Sequence, residues 1–139
     1  MTMLSPKANI QIVEDEFIIA EDLRGALEAI GHVVVGVAES YDEALAHFDA
    51  HKPDLVLLDI NLEGNAEGIN LGRLLSARKI PFIYISAYID ATTREQAKST
   101  HPKAFMVKPF DMAELEVQIK FALGPDTSLL NQNGKRKGY

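Results

Sequence analysis

The chain lacks cysteine, so it can form neither a disulfide framework nor a thiolate metal site. It also lacks any run of eighteen apolar residues, and without one no transmembrane helix is expected. Its first residues, Met1 to Pro6, do not contain the apolar stretch of a signal peptide. These absences favour a cytoplasmic protein that has no membrane among its partners.

Basic side chains are outnumbered, because 14 Lys and Arg residues against 20 Asp and Glu residues give a net charge of −6. This acidic balance disfavours nucleic-acid binding by the folded part of the chain. The exception is the triplet Lys135, Arg136 and Lys137, interpreted as a solvated tail, with a binding role as the alternative. A length of 139 residues and an apolar content of 47% fit one domain with a substantial core.

Apolar segments alternate with helical patterns along the chain. Leu55 to Leu58 is a continuous apolar run, typical of a strand buried on both faces of a parallel sheet, and Val33 to Val37 predicts a second buried strand. We predict strands at 8–13, 33–37, 55–59, 82–85 and 105–107, each followed by a helix. This order predicts an α/β fold, a three-layer sandwich whose five-stranded parallel sheet has helices on both faces. The predicted domain spans residues 8–123, and flexible termini are expected at 1–7 and 124–139.

Polar residues mark the starts of two predicted helices. Ser40 followed by Glu43 has the spacing of a capping box, and Asp111 can cap the last helix. The segment 91–100 is polar and gives the weakest helical signal. The histidines have no ligand spacing and are expected at the surface; they are His32, His47, His51 and His101.

Polar side chains also stand at the carboxyl ends of four predicted strands. Glu14 and Asp15 follow the first strand, Asp59 ends the third, Ser86 follows the fourth and Lys108 follows the fifth. In a parallel sheet these ends lie along one edge, where open α/β sheets bind their ligands. Three carboxylates repel one another unless a hard cation such as Mg²⁺ or Mn²⁺ relieves the repulsion. The sequence therefore predicts a divalent cation at this edge.

A cation, a lysine and a hydroxyl together suit a phosphoryl group, whose transition state spreads charge over three oxygens. One carboxylate must then be the acceptor and form an acyl phosphate, and Asp59, at the tip of the central strand, is the best candidate. Taken singly, each residue has an ordinary structural explanation as a loop cap, a helix start or a turn. Their joint occurrence at four strand ends favours the functional interpretation.

Four motifs resemble the receiver domain of two-component response regulators. They are Ile12 to Glu16, Pro53 to Asp59, Tyr84 to Ala87 and Val107 to Phe110. The resemblance covers about residues 8–123 and implies the flavodoxin-like (βα)5 topology. It also implies that Asp59 takes phosphate from a histidine kinase or a histidine phosphotransfer protein. The domain would catalyse only its own phosphorylation and dephosphorylation.

The resemblance implies a role for each of the other site residues. Glu14 and Asp15 would be the acidic pair for Mg²⁺, and Asn61 would add its backbone carbonyl to a metal site that the phosphoacceptor completes. Ser86 would be the hydroxyl that follows the phosphate, and Lys108 the lysine that pairs with it. The aromatic switch position would be occupied by a phenylalanine, Phe105.

Three of these residues depart from the commoner choices of the family. Glu14 replaces aspartate and is one methylene longer, so it should reach the metal through water. Ser86 stands where threonine is commoner. Phe105 lacks the tyrosine hydroxyl, so its rotation cannot be reported by a hydrogen bond. The bond between Lys108 and Pro109 is expected to be cis.

Two further sets of residues are expected to modulate or transmit the signal. Asn61 and Tyr88 should flank the phosphoryl group, and Tyr88 should screen it from water. In the last helix, Val117 and Phe121 lie on the side opposite the predicted packing stripe of Leu115, Ile119 and Ala122, so they should point outward. We interpret them as part of a face, with the preceding helix and strand, for an output partner or a second copy. The alternatives are that Phe121 folds over its own helix end or that the helix is rotated.

Other interpretations remain open from the sequence. A phosphatase of the haloacid dehalogenase type also uses Asp, Mg²⁺ and Lys, but it normally has a second Asp where this chain has Asn61. A flavodoxin-like flavin binder would need a Ser/Thr/Gly-rich phosphate loop in place of Glu14 and Asp15, and no P-loop motif is present. The module is either a stand-alone regulator or a part of a longer regulator or hybrid kinase.

Overall fold

The structure, a computed structural model, describes residues 7–64, 67–87 and 89–124. The expected flexible termini lie outside these residues, apart from Lys7 and Gly124. The strands are β1 (Asn9–Val13), β2 (Val33–Ala38), β3 (Leu55–Asp59), β4 (Phe82–Ser86) and β5 (Ala104–Val107). The helices are α1 (Phe17–Ala29), α2 (Tyr41–His51), α3 (Glu67–Ala77), α4 (Ala91–Lys98) and α5 (Met112–Leu123). A 3₁₀ turn, Leu62–Gly64, lies between β3 and α3.

The strands pair in parallel in the order β2-β1-β3-β4-β5, which places β3 at the centre of the sheet. Every residue of β3 is buried. Leu55 and Leu57 pack with α1 and α5 on one face, and Val56 and Leu58 pack with α2, α3 and α4 on the other. The three-layer α/β sandwich predicted from the sequence is confirmed.

The second strand differs from its prediction, because five of its six residues are only half-buried. β2 is an edge strand that pairs with β1 alone. An apolar run shows that a strand has contacts on its faces, but it does not reveal whether a neighbouring strand lies on both sides. The strand is present where it was predicted, but the expectation that it is buried was wrong.

His32, which was expected at the surface, is buried just before β2. Its Nδ1 accepts a hydrogen bond from the backbone N–H of Ala8 at 3.2 Å. Burial lowers the pKa of His32, although the charge of Glu116 opposes the shift. A neutral imidazole with a free lone pair on Nδ1 fits this acceptor role.

The predicted helix caps are present, with one change of partner. Ser40 Oγ accepts from the N–H of Glu43 at 3.1 Å, and Asp111 Oδ1 accepts from the N–H of Glu114 at 2.7 Å. The carboxylate of Glu43 accepts from the N–H of Glu39 at 3.0 Å instead of returning to the N–H of Ser40. The capping box is thus completed one residue earlier than its spacing suggests.

α4 forms despite its weak pattern, and its start is capped by Asp90, which accepts from the N–H of Thr93 at 2.7 Å. The helix ends at Lys98, two residues short of the predicted segment. There the hydroxyl of Thr100 donates to the carbonyl of Ala97 at 2.6 Å. None of the described helices is long and apolar enough to cross a membrane.

Candidate functional site

The predicted site residues lie at the carboxyl ends of the parallel strands, along one edge of the sheet. Asp59 is the last residue of β3 and Ser86 the last of β4, while Glu14 and Asp15 follow β1 and Lys108 follows β5. β3 lies between β1 and β4, so Asp59 occupies the middle of the group. This residue is almost fully buried, at 6% exposure.

The backbone beside Asp59 is held by the first turn of α3. The N–H of Gly68 donates to the carbonyl of Ile60 at 3.0 Å. A Cβ atom at position 68 would collide with the backbone carbonyl of Asp59, so only glycine allows this close approach. The position of the acidic side chain therefore depends on how closely α3 packs against the end of β3.

The carboxylate of Asp59 has two partners. Oδ1 accepts from the N–H of Asn61 at 3.0 Å, and Oδ2 lies 3.5 Å from Lys108 Nζ. The shorter contact of Lys108 is with Glu14, whose Oε1 lies 2.7 Å from Nζ. Lys108 is thus shared between two carboxylates and is closer to Glu14 than to Asp59. The peptide bond between Lys108 and Pro109 is cis, as the family resemblance implies.

Glu14 is buried at 2% exposure, and its Oε2 accepts from the N–H of Glu16 at 3.1 Å. Burial raises the pKa of Glu14 to about 7, although the hydrogen bond from Lys108 opposes the increase. For Lys108, burial alone would lower the pKa, but the hydrogen bond to Glu14 and the charges of Asp59 and Glu14 outweigh it and raise the pKa. The ammonium therefore stays charged between its two carboxylates.

Asp15 completes an acidic cluster with Glu14 and Asp59, whose ligand oxygens all lie within 4.8 Å of one another. Asp15 Oδ2 accepts from the N–H of Glu63, which adopts a left-handed backbone with φ of 59°. Three convergent carboxylates are hard oxygen donors of the kind that Mg²⁺ binds. This donor set fits a hard divalent cation better than a softer transition metal.

Ser86 is buried beside Asp59, and its Oγ lies 3.5 Å from Asn61 Nδ2. A cavity of about 200 Å³ opens between these groups, and it is lined by Asp15, Glu16, Asp59, Asn61, Ser86, Ala87 and Lys108. The cavity brings the candidate acceptor, hydroxyl and lysine to one space. Tyr88, the expected shield, lies outside the described residues.

Phe105 lies on β5 with its ring half-buried, 6.0 Å from the ring of Tyr84. The guanidinium of Arg94, on α4, covers the ring at 4.7 Å from its centroid. Arg94 was not identified from the sequence, because no local pattern reveals which residue of α4 faces a given residue of β5. Position 94 is polar in a polar helix and looks like any solvated side chain.

A second feature missed by sequence reasoning is the pair Phe17 and Ile18, exposed at 71% and 74% at the start of α1. A helical wheel contained the signal, since Ile18 lies about 180° around the helix from the buried Leu27 at 100° per residue.

A mostly apolar groove of about 670 Å³ runs between α1 and the start of α5 next to the site, with Leu23 and Leu115 among its lining residues.

In α5 the two stripes lie as predicted. Leu115, Ile119 and Ala122 are buried against the sheet. Val117 and Phe121 are exposed at 61% and 69%. Phe121 therefore points to solvent in the described structure, and Val107 of β5 is also exposed, at 48%.

The parallel sheet, in the strand order β2-β1-β3-β4-β5, thus carries an acidic cluster, a lysine and a hydroxyl at its carboxyl edge. The chain belongs to the response regulator receiver domain family of two-component systems, whose family model matches residues 10–120. The family predicted from the four motifs is confirmed. Membership favours the receiver interpretation over the phosphatase and the flavin binder.

Similar proteins include PdtaR, a transcriptional regulatory protein of Mycobacterium tuberculosis, 31% identical over 82% of this chain and 56% of PdtaR. The phyllosphere-induced regulator PhyR of Methylorubrum extorquens is 36% identical over 82% of this chain and 43% of PhyR. The chain spans about half the length of these curated relatives.

Among solved structures, the receiver domain of a modulated diguanylate cyclase from Desulfovibrio desulfuricans G20 matches with a TM-score of 0.80 and 32% identity, covering 85% of this chain and 94% of that one. PhyR from Brucella abortus matches with a TM-score of 0.71 and 33% identity, covering 86% of this chain and 49% of that one.

Proposed function

We propose that Asp59 accepts a phosphoryl group from the histidine of a histidine kinase or a histidine phosphotransfer protein. The proposed receiver domain spans residues 8–123. The observation that supports this most is the surroundings of the Asp59 carboxylate. It is buried at the tip of the central strand, 3.5 Å from Lys108 Nζ and within hydrogen-bond distance of the Asn61 N–H.

In the proposed reaction, a carboxylate oxygen of Asp59 forms a bond to phosphorus while the bond from phosphorus to the donor imidazole breaks. The electron pair leaves with the imidazole nitrogen, and the product is an acyl phosphate. Lys108 moves from Glu14 toward the new phosphoryl oxygens, and Ser86 donates its hydroxyl hydrogen to one of them. Both movements stabilise the negative charge that the phosphoryl group brings to Asp59.

Asp15, Asp59 and the backbone carbonyl of Asn61 are the proposed ligands of Mg²⁺ or Mn²⁺, and Glu14 is proposed to act through water. A bound divalent cation would neutralise charge shared between the carboxylates and the phosphoryl group. The contact from Glu14 to Lys108 supports the indirect role of Glu14, because this carboxylate already holds the ammonium.

The proposed output is a population shift on the face formed by α4, β5 and α5. Phosphorylation draws Ser86 toward the phosphoryl group, Phe105 turns inward, and the face changes shape. Val117 and Phe121 are the proposed contacts for a partner protein or a second copy. Their exposure supports the role, since large apolar side chains that remain in water are candidates for a partner.

The experiment is incubation with acetyl phosphate and Mg²⁺, followed by intact mass measurement. Wild type should gain one phosphoryl mass, and chelation of the metal should prevent the gain. Asp59→Asn should gain none. Asp54→Asn is the matched control, because Asp54 is exposed and precedes the same strand that Asp59 ends. Equal labelling of wild type and Asp59→Asn would refute the proposal.

A further inference from the structure

The ring of Phe105 lies between a fixed side chain and a charged one. Tyr84 is fully buried on one side, with ring centroids 6.0 Å apart and planes inclined at 54°. Arg94 covers the ring from the solvent, with Cζ 4.7 Å from the ring centroid. A guanidinium at this distance is attracted by the quadrupole of the aromatic ring.

Both sides of this arrangement are anchored to the sheet. The Tyr84 hydroxyl is 2.6 Å from Thr100 Oγ1. The Thr100 hydroxyl donates to the carbonyl of Ala97 at 2.6 Å. Ala97 is itself fully buried. These contacts hold the end of α4 against β4, so Arg94, one turn earlier, is held beside Phe105. Among the described residues, no carboxylate forms an ion pair with Arg94 in competition with the ring.

We propose that Arg94 is a positioning residue that holds Phe105 in its resting orientation by cation–π stacking. When Phe105 turns inward, the stacking is lost and the guanidinium is released onto the face formed by α4, β5 and α5. A phenylalanine has no hydroxyl with which to report its rotation, and the stacked guanidinium provides an orientation-dependent contact instead. The inference rests on the proposed phosphorylation of Asp59 for the trigger, but the resting contact does not.

The size of the effect follows from the exposure of the pair. An exposed cation–π contact changes an equilibrium by about two- to fivefold. Loss of Arg94 should therefore raise the fraction of molecules with Phe105 turned inward by about that factor. Because coupling between two states is reciprocal, the phosphorylated fraction at a fixed acetyl phosphate concentration should rise in the same direction.

The test uses Arg94→Met, Arg94→Lys, Phe105→Leu and the double variant Arg94→Met with Phe105→Leu. Lys98→Met is the matched control, since Lys98 is an exposed cation one turn along α4 that pairs with Glu95 at 3.8 Å. The first readout is the NMR shift of the Arg94 δ protons in the resting protein. The ring current of Phe105 should move these signals upfield, and Phe105→Leu should abolish this upfield displacement.

The second readout is the phosphorylated fraction measured by intact mass. At an acetyl phosphate concentration that labels a small fraction of wild type, Arg94→Met should raise this fraction by up to about two- to fivefold, Arg94→Lys should raise it by less, and Lys98→Met should leave it unchanged. In the Phe105→Leu background, Arg94→Met should have no further effect.

Three results would overturn the inference. The first is an equal phosphorylated fraction in Arg94→Met and Lys98→Met, whether or not it differs from that of wild type. The others are an Arg94→Met effect that is as large in the Phe105→Leu background as in wild type, and δ-proton signals that do not change in Phe105→Leu. If wild type is never phosphorylated while the δ-proton displacement is present, the proposed function fails and the resting contact stands. If wild type is phosphorylated at Asp59 and Arg94→Met behaves like Lys98→Met, only the role of Arg94 fails.

Discussion

In the resting structure the ammonium of Lys108 is bound by two carboxylates. A phosphoryl group on Asp59 would compete with them for this ammonium. Lys108 Nζ lies 2.7 Å from Glu14 and 3.5 Å from Asp59. A phosphoryl group on Asp59 would add a charge of roughly −1.5 to −2 if it resembles other phosphorylated side chains. The lysine would then have a stronger partner within reach of its present position, and its movement would start the proposed conformational change.

Replacement of Lys108 by Met should leave two buried carboxylates without their cation. We expect the free energy of unfolding to fall by about 1–3 kcal/mol at neutral pH, the cost of leaving a buried polar group unpaired. Mg²⁺ should restore more stability to Lys108→Met than it adds to wild type, because the variant has no ammonium to compete with the metal. Urea unfolding with and without Mg²⁺ measures both quantities.

Lys98→Met serves as the control for this variant, since its ion pair with Glu95 is exposed and should contribute little. A Lys108→Met protein that binds Mg²⁺ with the same gain in stability as wild type would show that the lysine and the metal do not share these carboxylates.

At the scale of the element, α3 positions the site through its first turn. Gly68 packs against the carbonyl of Asp59, and a Cβ there would require the helix or the strand end to move. Gly68→Ala should therefore destabilise the protein by about 1–3 kcal/mol, the usual cost of overpacking. Gly25→Ala, in the interior of α1 with no atom within 4 Å of its Cβ, should instead stabilise by roughly 0.5–1 kcal/mol.

Urea unfolding of the two glycine variants tests this difference in sign. If Gly68→Ala is as stable as wild type, the contact between α3 and the end of β3 is looser than described. The acetyl phosphate reaction of Gly68→Ala should also be slower, because displacement of the strand end displaces Asp59.

The apolar side chains of α1 and α5 offer a second contrast between elements. Phe121 and Phe17 are exposed to nearly the same extent, at 69% and 71%, on different helices. Phe121→Glu should weaken phosphorylation-dependent self-association or partner binding roughly tenfold, as expected for an aromatic anchor at an interface. Phe17→Glu should leave that association intact.

Light scattering of the phosphorylated proteins, with a pull-down for a partner protein, distinguishes the two phenylalanines. Both variants should still accept phosphate from acetyl phosphate, which needs no docking surface. Loss of association in Phe17→Glu, with none in Phe121→Glu, would place the interface on α1 rather than on α5.

For the whole molecule, the architecture could be predicted from the sequence because strands that are buried on both faces of the sheet consist of continuous apolar runs. Leu55 to Asp59 was predicted with its observed bounds, and the two stripes of α5 followed from helical spacing alone. The position of β2 was predicted correctly, but its burial was mispredicted, because burial at an edge depends on how many strands lie beside the strand. His32 was mispredicted because its partner, Ala8, is distant in sequence.

The site was predictable to a similar depth. Parallel strands bring their carboxyl ends together, so the grouping of Glu14, Asp15 and Asp59 followed from the order of elements. The preference of Lys108 for Glu14 over Asp59 did not follow, because it depends on a difference of less than one ångström between two side-chain distances, 2.7 Å and 3.5 Å. The stacking of Arg94 on Phe105 depends on the register of a helix against a strand, which no local pattern encodes.

Attachment of the phosphoryl group to Asp59 is the step on which the proposed function depends. The most direct measurement is tandem mass spectrometry of protein treated with acetyl phosphate and Mg²⁺, after borohydride has reduced the acyl phosphate to a stable alcohol. We expect the reduced residue to be Asp59 and no other carboxylate to be modified to a comparable extent. Reduction at Asp15 or Asp54 with Asp59 intact would contradict it.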